Sequence, residues 1–195
     1  PTADKSGIRS EKTARTAGRF FARLIPVKRR NRGQDTLKPL YPCLRGDNMF
    51  KQILVSTDGT KLSMKAVDKA LDMAKQSGAA LTVVTVVPPY PATPTGDGYV
   101  LEPMSGDAWE KLMKKNADRI LAVVAKRAQA KQVEASLLAV SNDPPYVGIL
   151  AAAKKHKCDL IIMASHGRSS LSALLLGSET MKVLAHSTIP VLVYR

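Results

Sequence analysis

Apolar residues in this chain gather in five short runs rich in β-branched side chains, separated by longer stretches in which they return every three or four positions. The runs are QILVST at 52–57, ALTVVTVV at 80–87, QVEASLLAV at 132–140, DLIIMA at 159–164 and PVLVY at 190–194. Each reads as a strand. LTVVTVV and DLIIMA are almost unbroken, the pattern of central parallel strands covered on both faces. Between the first two strands, Leu62, Ala66, Val67, Ala70, Leu71 and Ala74 make one helical stripe that Gly78 ends. A second helix is expected over 108–130, with Leu112, Ile120, Val123 and Val124 facing inward, a third over 145–157 and a fourth over 171–186. Strands alternating with helices specify an α/β fold, a doubly wound parallel sheet with helices on both faces. In such sheets ligands gather at the carboxyl ends of the strands, where the winding reverses.

Charge changes this picture less than its total suggests. The chain has 30 Lys and Arg against 16 Asp and Glu, a net +14, a balance that by itself points to nucleic acid. Residues 1–48, however, hold 12 of the cations and 4 of the acids, so +8 of the excess sits in the head. The head has few apolar residues and no sustained period, and it cannot bury enough surface to offset its ordering entropy. It is expected to be a disordered basic extension with no role in the fold, and residues 49–195 to be the domain. RFFARLIPVKRRNR suits acidic partners and has the Arg-rich, acid-poor character of an organellar transit peptide. The opening Pro1 and the start-like phrase MFKQILVSTDG at Met49 favour upstream sequence or a dispensable extension. With no run of about 20 apolar residues and no cleavable apolar leader, neither a membrane span nor a secretory signal is expected, and the expected location is cytoplasmic. Cys43 and Cys158 are too few for a disulfide framework. Cys158 is expected to pack as a small hydrophobe.

Candidate chemistry centres on ASHGRSSLSALLLGSET, residues 164–180, which follows the fourth strand and leads into the last helix. Its glycines permit positive φ or close backbone approach, so amide groups near Gly167, Gly177 and Ser178 can point at an anion, and a helix N-terminus adds to the effect. Ser165 and Arg168 lie in the same loop. A G-x-x-x-x-G-K-[ST] loop is absent, and no G-x-G-x-x-G follows the first strand, which excludes a P-loop nucleotidase and a standard dinucleotide binder. The first strand ends in STDG, placing Asp58 at the carboxyl edge. There it either accepts hydrogen bonds from ribose hydroxyls or serves as a turn or cap residue.

In combination, MFKQILVSTDGT, LTVVTVV and CDLIIMASHGRSSLSALLLGSETMKVLAHSTIPVLVYR resemble the universal stress protein family over nearly all of residues 49–195. The resemblance implies a five-stranded parallel sheet in the order 3-2-1-4-5, of the adenine nucleotide alpha hydrolase-like type, usually in a homodimer. In the family's ATP-binding branch the fourth strand enters G-x2-G-x9-G-[ST], whose amides and hydroxyl hold phosphates. Here Ala164 stands at the first position, followed by Gly167, nine residues, then Gly177 and Ser178. The same resemblance implies that Asp58, with Thr57, contacts nucleotide, that Val86 belongs to the adenine pocket, and that Arg168 lies by the phosphates.

The expectation is an ATP-binding regulatory protein of the stress response, a homodimer joined through the C-terminal strand, with Mg or Mn arriving on the phosphates. Its protein partner is unspecified, and nucleic acid and membrane are not expected partners. Two alternatives stand beside it: a stress-family interaction module that binds no nucleotide, and a slow ATPase or phosphatase. His156, His166 and His186 lack metal-ligand spacing, so no metal site built by the protein is expected. G-x-S-x-G is absent and no residue stands out as a base, so no catalytic residue is assigned.

Overall fold

The computed structural model describes residues 20–23, 49–91, 105–167 and 176–195. Its strands are β1 (Phe20–Arg23), β2 (Gln52–Ser56), β3 (Ala80–Val87), β4 (Ala135–Ser141), β5 (Leu160–Ala164) and β6 (Val191–Tyr194). Its helices are α1 (Lys61–Ser77), α2 (Gly106–Lys131), α3 (Pro145–Lys155) and α4 (Ser178–His186). The sheet order is β1-β4-β3-β2-β5-β6. From β2 onward the strands are parallel and follow the expected 3-2-1-4-5 order. The sequence reading gave the head no strand; here β1 adds an antiparallel strand to β4, with Phe20 opposite Val140 and Arg23 opposite Leu137. An open strand edge offers unpaired amides and carbonyls, and an aromatic dipeptide has the propensity to meet it.

The pleat divides the strands between two cores. Ile53, Val55, Leu81, Val83 and Ile162 face one side, where α1 and α2 cover them. Leu54, Val84, Leu138, Ile161 and Met163 face the other, against α3 and α4. α1 is capped by Thr60, whose side chain accepts from the Ser63 amide, and stops at Gly78 in the left-handed region at φ 69°. Its buried stripe contains Ala66, Val67, Ala70, Leu71 and Ala74 as expected.

α2 corrects the sequence reading. Leu112 is 45% exposed and Val123 42% exposed, whereas Ala117, Ile120, Leu121, Val124 and Ala128 are buried. The inward arc is set by 117, 120, 121, 124 and 128, and Val123 lies about 100° around the helix from Val124. Small Ala117 and Ala128 let the helix approach the sheet, so the larger Leu112 and Val123 are not its core contacts.

Parallel strands need anchoring at their amino ends. Asp159 does this, its two carboxylate oxygens accepting from the Lys51 and Gln52 amides at 2.7 and 3.0 Å. Next to it, Cys158 is buried at 6% exposure, as expected of a small hydrophobe. Burial, with Asp159 adding to it and a hydrogen bond with Thr82 opposing it, pushes the thiol up from 9.0 to about 11.

The sign of the resulting pH effect follows from the neutral thiol being favoured in the folded state. Its stabilisation is complete below pH 9.0 and is lost as pH rises towards about 11. Urea unfolding of the full chain against pH should therefore show an alkaline decline that Cys158→Ala reduces by on the order of 2 kcal/mol. An identical pH slope in the variant would contradict this.

Candidate functional site

The reversal of strand order at β2 leaves a crevice between β2 and β5. A cavity of about 250 Å³ opens there, with Thr57, Asp58, Val86, Ala164, Gly167, Gly177 and Ser178 among its lining residues. Seven of the eight residues singled out in the sequence are thus brought together, and Arg168 lies outside the described residues.

On the β2 side the chain leaves the sheet through a tight turn. Thr57 is buried; its amide donates to the Val84 carbonyl, and its hydroxyl is engaged by Ser63 at 2.9 Å and by the Gly59 amide at 3.2 Å. Asp58 Oδ1 accepts from the Thr60 amide at 3.0 Å and the Thr60 hydroxyl at 2.7 Å. The turn role is therefore present. The cavity role is compatible with it, because Oδ2 faces Gly167: a Cβ at Gly167 would lie 2.8 Å from that oxygen.

On the β5 side, the Ser165 amide donates to the Tyr194 carbonyl at 2.7 Å, and its own carbonyl accepts from Gly177 at 2.7 Å. The buried Thr180 hydroxyl donates to the Ala164 carbonyl at 3.0 Å. These bonds hold the start of α4 against the end of β5. Gly177 is the N-cap of α4 and supplies no side-chain cap; the first helical bond runs from Met181 to the Gly177 carbonyl at 3.0 Å. The amides of Ser178, Glu179 and Thr180 thus stand at the cavity without an intrahelical acceptor, the arrangement that favours an anion.

Gly167 and Gly177 do not have positive φ; among the described residues only Gly59, Gly78, Gln132 and Lys157 do. Of the two reasons for glycine in the loop, close approach is the one that applies. A Cβ on Gly177 would meet His166 Cα at 3.2 Å and the Ser165 oxygen at 3.4 Å. Ala164 belongs to β5 in ordinary extended backbone and is 7% exposed, so its methyl group is accommodated without backbone strain.

Sequence reasoning missed the other half of the lining. Val84, Ile149 and Met163 add apolar side chains to the cavity lining. Glu179 also lines it, yet one carboxylate oxygen accepts from the Tyr146 amide at 2.8 Å, in the first turn of α3, and the other from Lys182 at 2.9 Å. That hydrogen bond holds the exposed Lys182 ammonium above its ordinary value. His166 Nδ1 meets the Ser165 hydroxyl at 3.1 Å. Among the described residues no group of three His, Cys, Asp or Glu side chains could hold a metal ion, and no helix is long and apolar enough to cross a membrane.

A doubly wound sheet with a cavity at its switch point, lined by apolar side chains and by the first turn of α4, defines an open-sheet α/β domain. The model of the universal stress protein family matches residues 49–195, and the chain belongs to that family. Universal stress protein YxiE of Bacillus subtilis (strain 168) is 35% identical over 150 residues, which are 75% of this chain and 100% of the relative. Universal stress protein MJ0531 of Methanocaldococcus jannaschii is 31% identical over 153 residues, 77% of this chain and 85% of the relative. Among solved structures, UspA from Lactobacillus plantarum superposes with a TM-score of 0.60 at 25% identity, covering 74% of this chain and 97% of that one. A universal stress protein in complex with cAMP gives a TM-score of 0.54 at 25% identity, with 75% and 97% covered.

The tie between α4 and β5 can be tested without changing the shape of the site. Thr180→Val keeps the side-chain volume and leaves the Ala164 carbonyl without its hydroxyl partner. The expected loss is about 1–3 kcal/mol, the cost of an orphaned buried acceptor. It should appear as a lower urea midpoint with an unchanged slope; a variant as stable as the parent would show that the bond does not hold the helix.

Proposed function

We propose that the cavity binds an adenine nucleotide, ATP with Mg or Mn on its phosphates, and that the protein is a stress-response regulator whose partner contacts follow occupancy. The observation that carries this reading is the convergence of Asp58, Gly167, Gly177 and Ser178 on one cavity at the uncapped start of α4. An apolar wall of Val84, Val86, Ile149 and Met163 suits a base, Asp58 suits ribose hydroxyls, and the α4 amides suit phosphate. Similarity to a universal stress protein in complex with cAMP supports the adenine class. The metal would be held mainly by phosphate oxygens and water.

A homodimer through β6 is part of the same proposal. β6 ends the sheet and its Leu192 is 36% exposed, while Met181 and Leu184 of α4, the helix before it, are 58% and 41% exposed. A second copy pairing along this edge would satisfy the strand and cover the apolar side chains.

Thermal unfolding of the full chain with MgATP tests the ligand. At about 100 times the dissociation constant the ligand adds about 2.7 kcal/mol, and a shift of roughly 5–11 °C is expected. Gly167→Asp, which forces a side chain against Asp58, should abolish it. No shift in the parent would favour a module that binds no nucleotide. Sedimentation equilibrium tests the assembly: the parent is expected to sediment as a dimer and Leu192→Asp as a monomer, and a monomeric parent would refute the edge pairing.

A further inference from the structure

α1 and α2 enclose a second concavity of about 780 Å³ that meets the first at Asp58. Its floor is apolar, with Met64 and Ile120 at 7% and 6% exposure and Val123 at 42%. Its rim is cationic. Lys61 and Lys65 stand four residues apart on one face of α1, and Arg119 rises from α2. Among the described residues none of these three forms an ion pair; Arg119 Nη2 donates only to Asn116 Oδ1, at 3.1 Å. The neighbouring acid Asp68 is engaged by Arg127.

The chemistry of this groove selects among anions. At its Asp58 end, the Gly59 amide donates to the Thr57 hydroxyl and the Thr60 amide to Asp58. With both amides used, the turn itself offers no backbone nest to a free phosphate. No aromatic side chain lines it, so nucleobases have nothing to stack on. Three cations around an apolar floor, with a half-exposed valine, match a segment that carries carboxylates and an apolar anchor side chain.

The groove is also joined to the cavity. Gly59 has φ +83°, and a Cβ there would lie 3.0 Å from Ile120 Cγ1. The turn at 58–60 is therefore packed onto the groove floor while Asp58 lines both spaces. We propose that this groove docks an acidic, leucine-bearing segment of a partner protein, and that the turn links its occupancy to the nucleotide cavity. Docking stands on the groove alone, whereas the linkage rests on the nucleotide reading above.

The test is fluorescence anisotropy of the full chain with a short fluorescein-labelled peptide of alternating glutamate and leucine. The triple variant Lys61→Glu, Lys65→Glu, Arg119→Glu should weaken binding by at least about tenfold, while Lys75→Glu, Lys111→Glu, Lys154→Glu, equal in charge, should change it less than about twofold. Replacing leucine by serine in the peptide should also weaken it. Equal loss in both triples, undiminished binding of the serine peptide, or displacement of the peptide by an equally charged oligonucleotide would each overturn the docking. Saturating MgATP should change peptide affinity at least about threefold. A nucleotide that shifts the melting temperature yet leaves peptide affinity unchanged overturns the linkage. A nucleotide that does not bind overturns the nucleotide reading and the linkage with it, and docking is then decided by the two triples alone.

Discussion

Ile53, Leu54 and Val55 are consecutive on β2 and at most 1% exposed, so both faces of the central strand must be kept from water. A parallel strand meets that demand only with helices on both sides, because each crossover connection must lie over a face of the sheet. α1 and α2 cover the face of Ile53 and Val55, and α3 and α4 cover the face of Leu54. The chain therefore has to add β3 on one side of β2 and β5 on the other. The crevice at their carboxyl ends is a consequence of that reversal, not a feature added to it.

What keeps the start of α4 open at the crevice is the handling of its own charges. α4 opens with Glu179, an acid in the first turn, which would be expected to occupy the first amides of its own helix. Instead its carboxylate is turned to the Tyr146 amide of α3 and to Lys182. The α3 N-terminus begins with Pro144 and has no side-chain cap of its own, so Glu179 serves a neighbouring helix and leaves the start of α4 open. Lys182 also lies 5.7 Å from the centre of the Tyr146 ring, and Tyr146 stacks on His186 at 5.2 Å. α3 and α4 are thereby fixed to one another over the cavity by contacts made outside it.

The parts of this arrangement that could be read from the chain are those set by local pattern. The strands were legible because their apolar runs are long for their context, and Asp58, Gly167 and Gly177 because they stand at strand ends. Leu112 and Val123 were misplaced because periodicity shows that a helix has an apolar arc and not which residues of a broad one meet the sheet. β1 was not legible, since four residues in a basic head carry no period and their partner in β4 is far along the chain. Glu179 and Thr180 were missed for a related reason: their partners lie 33 and 16 residues away, and neither bond follows from spacing.

Ala164 shows how position decides the meaning of a substitution. Glycine at a motif position suggests a backbone that only glycine adopts, which would make alanine a defect. Here the residue closes β5, opposite Tyr194 in the register with β6, and its carbonyl is held by Thr180. In that extended conformation alanine narrows the unfolded ensemble more than glycine does, a gain of about 0.4–1 kcal/mol. The amides that face the cavity belong to the start of α4, and their direction is set by the bonds of Ser165 and Gly177. The methyl group therefore stiffens the strand end and trims the cavity wall, while the geometry of the α4 amides is fixed elsewhere.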